Sequence, residues 1–195
     1  MSKISKTNVD RMVWVDIETS GLSLSFCRTL ELGVAITTPK GDVIDMNNWV
    51  IKPDSLAPVL EHMRPDVREM HTKNLLIDEI GMDHALTMLE AESEAIGFLQ
   101  QHRVEARHYP MAGSSVHFDR SFLKIDMPAL EEMFHYRDID ISSVRELARL
   151  RAPSLTDNEP ENDERHRVLS DIKDSIKLYK FYQRHFLNVD PKSDR

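Results

Sequence analysis

The stretch Val-Trp-Val-Asp-Ile-Glu-Thr-Ser-Gly at positions 13–21 alternates apolar and polar side chains and then ends in turn residues. A period of two over such a run predicts a half-buried β-strand. On that strand the odd-numbered apolar residues share one face, while Asp16 and Glu18 share the other. Two carboxylates therefore stand side by side at the end of a strand that the rest of the chain must pack around.

Carboxylates this close repel each other, and neither ionises readily without a neighbouring cation. A divalent ion resolves the conflict, because hard oxygen ligands suit magnesium or manganese. An exposed edge strand with solvated acids is the alternative explanation of Asp16 and Glu18, and this stretch alone leaves both open.

The composition is that of a soluble globular protein of one domain, with 195 residues, 41% hydrophobic and 30% charged. A formal net charge of −8 argues against a protein that coats long nucleic acid with a basic surface. It is compatible with a small anionic substrate held by a few cations and a metal. The single cysteine, Cys27, precludes an internal disulfide and fits a reducing compartment. No apolar run approaches the ~20 residues of a membrane span, so we expect a cytoplasmic protein without a membrane partner.

The order of the predicted elements indicates an α/β fold. Strands at 30–37 and 43–51 follow the first strand as an antiparallel meander, and two more, at 109–113 and near 139–141, alternate with helices. Helices are expected at 83–102, 118–124, 142–150 and 168–186, with short helices over 57–80 and a helix starting at Pro128. We predict one mixed five-stranded sheet flanked by helices, in a single domain over 1–195 with its core at about 12–186. The acidic stretch 152–165 is expected to be a mobile loop.

Two further motifs carry groups suited to chemistry. The small-residue sequence Gly-Ser-Ser at 113–115 follows a strand and leads to Asp119 at the start of a helix. His166 precedes Asp171 by five residues, and its near-neutral pKa suits a general base. Taken singly, Asp119 is also explained as a helix-start acid, and His166 and Asp171 as solvated surface residues.

As a set, the four carboxylates can hold two divalent ions ~3.5–4 Å apart, a geometry that serves phosphodiester hydrolysis. Their positions are Asp16, Glu18, Asp119 and Asp171. His166 would then accept the proton of the attacking water.

The chain also resembles a known family. The sequence Asp-Ile-Glu-Thr-Ser-Gly-Leu at 16–22, Asp119 and the His-x4-Asp pair at 166–171 look like the DEDDh branch of 3′-to-5′ exonucleases. Within that branch, Phe-His-Tyr-Arg at 134–137 resembles the oligoribonucleases. The resemblance implies a ribonuclease H-like fold and a homodimer. It also implies an enzyme that degrades RNA of two to a few nucleotides to 5′-mononucleotides with Mg²⁺ or Mn²⁺.

The resemblance further implies which residues contact the substrate. Leu22 would be a wedge between bases, and Tyr136 would reach into the site of the partner subunit. A cap on the 5′ phosphate would comprise His71, Ser115, Arg137 and Ser142. Such a cap favours short RNA, because it blocks longer strands and rewards a terminal phosphate with charge-assisted hydrogen bonds.

The sequence departs from the family where a base-stacking aromatic residue is usual, since Asp66 occupies that position. Stacking is worth ~1–3 kcal/mol per base, so the substrate preference is less constrained than the reaction. Two alternatives stay open: an exonuclease for longer single-stranded DNA or RNA, and a non-catalytic nucleic-acid-binding module on the same fold.

Overall fold

The computed structural model describes residues 10–163 and 165–187. The strands within this part of the chain are β1 (Met12–Thr19), β2 (Thr29–Thr37), β3 (Val43–Val50), β4 (Pro110–Gly113) and β5 (His135–Asp140). The helices are α1 (Leu56–His62), α2 (Pro65–Lys73), α3 (Leu76–Ile80), α4 (Met88–Gln101), α5 (Val116–Asp126), α6 (Pro128–Glu131), α7 (Ile141–Arg151), α8 (Pro153–Thr156) and α9 (Val168–His185). None of these helices combines the length and the apolar character needed to cross a bilayer.

The five strands form one sheet in the order β3-β2-β1-β4-β5. β2 is antiparallel to both β1 and β3, whereas β4 is parallel to β1 and β5 is parallel to β4. The predicted mixed five-stranded sheet is therefore confirmed, including its antiparallel meander. Because β1, β4 and β5 run in the same direction, their carboxyl ends meet at one edge of the sheet, the usual place for a ligand in such folds.

The predicted alternation along β1 separates two hydrophobic cores. Val13, Val15 and Ile17 join the core that packs under α4, α5 and α6. Trp14 faces the opposite side, where it packs with residues of α9, and its indole N–H donates to Thr37 Oγ1 at 2.9 Å. Asp16 and Glu18 follow Trp14 on this second face, so α9 is the helix that lies nearest to them.

The helix predicted over 83–102 begins later, at Met88. A reciprocal capping box fixes this start, because Thr87 accepts from the Glu90 amide and the Glu90 side chain accepts from Thr87. Leu86 lies within the range predicted to be helical but forms an isolated β-bridge with Ile51. Leu89, in the first turn of α4, is 75% exposed.

Three features in the carboxyl half also differ from the prediction. β5 covers six residues rather than a short stretch at 139–141, because its earlier residues pair with β4. α7 begins at Ile141, one residue earlier than predicted, because Asp140 is its N-cap and the Asp140 side chain accepts from the Ser142 amide. The acidic stretch 152–165 contains the short helix α8, so it is not wholly a loop.

Candidate active site

Three carboxylates from two elements meet at the carboxyl end of β1. Asp16 and Glu18 lie on β1, and Asp171 lies in the first turn of α9. One carboxylate oxygen of each residue lies within 4.8 Å of those of the other two. The strand period brings Asp16 and Glu18 together, and the packing of α9 against the same sheet face adds Asp171.

Asp119 is attached to the same segment of β1. It lies in the first turn of α5, is 5% exposed, and its Oδ1 accepts a hydrogen bond from the Ile17 amide at 3.1 Å. Ile17 is the residue between Asp16 and Glu18, so this bond holds the Asp119 carboxylate beside the three-carboxylate cluster. The fold therefore brings all four predicted acids to one place.

Burial raises the pKa of each of these carboxyls. The pKa of Glu18 rises to about 9, first through burial and then through the charge of Asp171. The pKa of Asp16 rises well above its usual range through burial and the neighbouring charge of Asp119. Burial also raises the pKa of Asp119 to about 7, against its backbone hydrogen bonds, and that of Asp171 to about 6.

These pKa values describe a cluster that needs a cation to ionise fully at neutral pH. Carboxylate oxygens are the hard donors that Mg²⁺ and Mn²⁺ prefer. A bound divalent ion would offset both the burial and the mutual repulsion of the acids. The donor set therefore fits a divalent metal centre.

His166 lies at the entrance to α9, two residues before the helix begins. Its side chain is exposed and its backbone is left-handed, with φ of 50°. Its backbone carbonyl accepts a hydrogen bond from the Asn74 amide group. Burial raises the pKa of Asp171, and the nearby His166 acts in the opposite direction, so the two side chains are close enough to interact.

The two serines predicted for the phosphate cap lie together. Ser115 Oγ donates to Ser142 Oγ at 3.2 Å, and both backbone amides donate to Asp140 Oδ1, at 2.8 and 3.2 Å. Ser115 has a left-handed backbone, with φ of 55°. Asp140 thus organises both residues, and the sequence analysis did not single it out. Its position directly before a helix is a recognisable capping signal.

His71 lies in the last turn of α2 and is fully buried, so it is not a solvated surface histidine. Its Nε2 lies 2.9 Å from the Thr19 carbonyl and 3.9 Å from Glu18 Oε2. Its Nδ1 has no hydrogen-bond partner among the described residues. Burial lowers the pKa of the imidazole, so His71 is neutral at pH 7 and donates to Thr19.

The remaining predicted contacts are at the surface. Tyr136 is 72% exposed on β5, and the Arg137 guanidinium lies over its ring at 5.1 Å from the centroid. Leu22 is 71% exposed in the loop after β1. All three side chains are available to a substrate or to a second subunit.

Sequence reasoning missed Glu31 and Arg167. Glu31 lies in the middle of the otherwise buried strand β2, is 1% exposed, and pairs with Arg167 at 2.8 Å. A lone acid within an apolar strand is a detectable signal, because a buried charge requires a partner. The sequence does not show which residue provides that partner.

Comparisons with known proteins agree with this geometry. An exonuclease family model matches residues 13–179. The chain is 39% identical to an oligoribonuclease of Leifsonia xyli, over 95% of this chain and 88% of the relative. It is also 39% identical to an oligoribonuclease of Streptomyces avermitilis, over 95% of this chain and 91% of the relative.

Solved structures share the fold. A crystal structure of E. coli exonuclease I in complex with a dA16 oligonucleotide matches 92% of this chain with a TM-score of 0.68 at 16% identity. The zinc-bound form of an E. coli exonuclease I complex with single-stranded DNA gives a TM-score of 0.68 at 14% identity. The chain spans 42% and 41% of the lengths of those two chains. The ribonuclease H-like fold is confirmed, and the chain is an exonuclease of the oligoribonuclease family.

Proposed function

We propose that this chain is a metal-dependent 3′-to-5′ exoribonuclease that hydrolyses short RNA, including dinucleotides, to 5′-mononucleotides. The observation that carries the proposal is the cluster of Asp16, Glu18 and Asp171, with Asp119 bonded to the same segment of β1. The relatives named above are oligoribonucleases, and they cover nearly the whole chain.

In this proposal the four carboxylates hold two Mg²⁺ or Mn²⁺ ions. Bound there, divalent ions supply positive charge that stabilises the phosphoryl oxygens as negative charge develops. The hydrogen bond from Ile17 fixes the orientation of Asp119, and burial keeps bulk water from competing for the carboxylate oxygens of Asp119 and Glu18.

His166 is the proposed general base, because its ordinary pKa lies close to neutral. Its side chain is exposed at the entrance to α9, five residues before Asp171, and would accept the proton of the attacking water. His71 is unsuited to that role, because it is fully buried and burial lowers the pKa of its imidazole.

The preference for short RNA would come from a cap on the 5′ phosphate, for which the resemblance gives Ser115, Arg137, Ser142 and His71. His71 is fully buried and its Nε2 donates to the Thr19 carbonyl, so it would have to become exposed to contact a phosphate. The paired serines are rigidly held through Asp140, which supports this assignment for two of the four residues. Arg137 would add a charge-assisted contact. Leu22 would separate two bases, a role that its exposure permits.

A homodimer completes the proposed site. One surface cavity is lined both by the cap residues Ser115 and Ser142 and by Leu147 and Leu150 of α7, which are 56% and 71% exposed. A second subunit that covers these leucines would approach the cap, where Tyr136 could contact the substrate of its partner.

The variant Asp171→Asn tests the metal assignment, because it removes the charge but keeps the size of the side chain. We expect calorimetric Mn²⁺ binding to weaken and kcat on an RNA dinucleotide to fall by more than about 100-fold, beyond the usual effect of a residue outside the ligand set. The matched control is Asp157→Asn at an exposed acid, which should behave as the unaltered protein. Near-normal hydrolysis by folded Asp171→Asn protein would overturn the assignment.

A further inference from the structure

Arg167 uses every donor of its guanidinium group. Nε and Nη2 donate to Glu31 at 2.9 and 2.8 Å, and Nη1 and Nη2 donate to Glu79 at 3.1 and 2.7 Å. The fifth bond runs from Nη1 to the Asn74 carbonyl at 3.2 Å. An arginine has five N–H donors in a fixed plane, so these bonds together fix the orientation of the guanidinium group.

The partners of Arg167 come from three separate parts of the fold. Glu31 lies on β2, Glu79 on α3, and Asn74 between α2 and α3. Glu31 is itself fixed, since its Oε1 also accepts from Asn48 Nδ2 at 2.7 Å. The side chain of Arg167 is 21% exposed and that of Glu31 is 1% exposed. Arg167 therefore ties the entrance of α9 to the sheet and to the α2–α3 connection.

The same connection holds the neighbouring residue. The Asn74 side-chain amide donates to the carbonyl of His166, while the Asn74 carbonyl accepts from Arg167. His166 has a left-handed backbone, which an L-residue keeps only when its surroundings impose it. A cavity of about 470 Å³, lined in part by Asn74, Leu75 and His166, opens beside this turn. The imidazole has room to move away if the turn is released.

We propose that Arg167 is a positioning residue, which together with Glu79 and Asn74 holds the backbone of His166 in the conformation from which its side chain serves the carboxylate cluster. This inference rests on the proposed role of His166 as general base. An ion pair that only stabilised the fold would not need a link to the proposed base. Here Arg167 donates to the Asn74 carbonyl, and the Asn74 side chain donates to the His166 carbonyl.

A double-mutant cycle separates positioning from general stabilisation. Arg167→Gln and His166→Ala are made singly and together, and single-turnover hydrolysis of an RNA dinucleotide is measured with saturating Mn²⁺. In the otherwise unaltered protein, Arg167→Gln should lower the rate by up to about 100-fold, the order expected for a misplaced catalytic group. In the His166→Ala background the same change should cost less than about twofold, because the group it positions is already absent.

Further variants keep the test decisive. Arg167→Lys should recover only part of the rate, since an ammonium cannot reproduce the planar fork. Glu79→Gln tests the same claim in case the arginine variants do not fold. It should lower the rate by a smaller factor than Arg167→Gln, and this loss should likewise disappear in the His166→Ala background. Arg145→Gln, which breaks the ion pair of Arg145 with Glu159 at 2.8 Å, is the matched control and should leave the rate unchanged. Mn²⁺ affinity should stay within about threefold in all of them, since the four carboxylates that hold the ions are untouched.

The outcomes distinguish the two claims. Equal losses from Arg167→Gln with and without His166 would overturn the positioning role, while leaving His166 as the base. A rate for His166→Ala close to that of the unaltered protein would overturn the base itself, and the positioning role with it.

Discussion

Asp66 occupies the second position of α2, where the family resemblance places a base-stacking aromatic side chain. It forms a paired contact with Arg64, with the shortest N–O distance 2.7 Å, and both side chains are more than 60% exposed. Such exposed ion pairs contribute little to stability. The residue is therefore free to change without loss of the fold, and its charge gives no favourable contact to a nucleobase.

Asp66→Trp should tighten the binding of RNA dinucleotides. Base stacking worth ~1–3 kcal/mol corresponds to a fall in KM of about 5- to 150-fold, with kcat little changed. Steady-state kinetics on a dinucleotide measures this change. Asp66→Ala is the control, because it removes the negative charge without adding a ring. An unchanged KM for Asp66→Trp would mean that bases do not approach this position.

At the scale of elements, β5 and α7 carry the exposed side chains that the proposed dimer would cover. β5 is an edge strand with an exposed tyrosine, and α7, which follows it in the chain, exposes Leu147 and Leu150. These leucines line one cavity together with the cap serines, so a second subunit that covered them would also contact the proposed cap.

Leu150→Glu should convert the proposed dimer into a monomer and reduce dinucleotide hydrolysis, because the tyrosine of the partner is withdrawn. Light scattering coupled to gel filtration measures the mass. Leu89→Glu is the matched control, since Leu89 is 75% exposed on α4 and should tolerate the charge. If the Leu150→Glu protein stays dimeric, the interface lies elsewhere. If the protein without the substitution is already a monomer, the proposed dimer is wrong.

The elements differ in how well local sequence specifies them. The strand β1, its two faces and the meander follow from side-chain alternation and turn residues, which are local properties. The predicted start of α4 was five residues too early, because the capping box of Thr87 and Glu90 fixes where the helix begins. The paired serines and the Arg167–Glu31 pair depend on residues 27 and 136 positions apart, respectively, and no local pattern connects them.

For the whole molecule, the cluster of four acids, which are buried or half-buried, opposes folding at neutral pH. A carboxyl whose pKa is higher in the folded than in the unfolded chain holds its proton more tightly when folded, so deprotonation destabilises the fold. The protonated carboxyls contribute their full stabilisation of the fold below the pKa of about 4 that they have in the unfolded chain. It is lost as the pH rises through about 6 for Asp171, about 7 for Asp119 and about 9 for Glu18.

The metal-free protein should therefore melt at a lower temperature at pH 8 than at pH 5.5. Each pKa unit is worth about 1.4 kcal/mol, and each kcal/mol about 2–4 °C for a chain of this size. Mn²⁺ should raise the melting temperature more at pH 8, because binding then displaces fewer protons. Thermal scans with chelator and with Mn²⁺ measure both effects, and Glu18→Gln should flatten the metal-free pH dependence. A metal-free melting temperature that rises from pH 5.5 to pH 8 would contradict these pKa shifts.

The most direct test of the central claim compares RNA lengths in one time course. A 5′-labelled RNA dinucleotide and 5′-labelled RNAs of several greater lengths are incubated with Mn²⁺ and the protein, with Asp119→Ala protein as the blank. We expect rapid loss of the dinucleotide, slow loss of long RNA, and no hydrolysis by the folded Asp119→Ala variant. Rapid degradation of long RNA that stalls at dinucleotides would contradict the proposed 5′-phosphate cap and favour an exonuclease for longer strands. Hydrolysis by Asp119→Ala protein would contradict the metal centre itself.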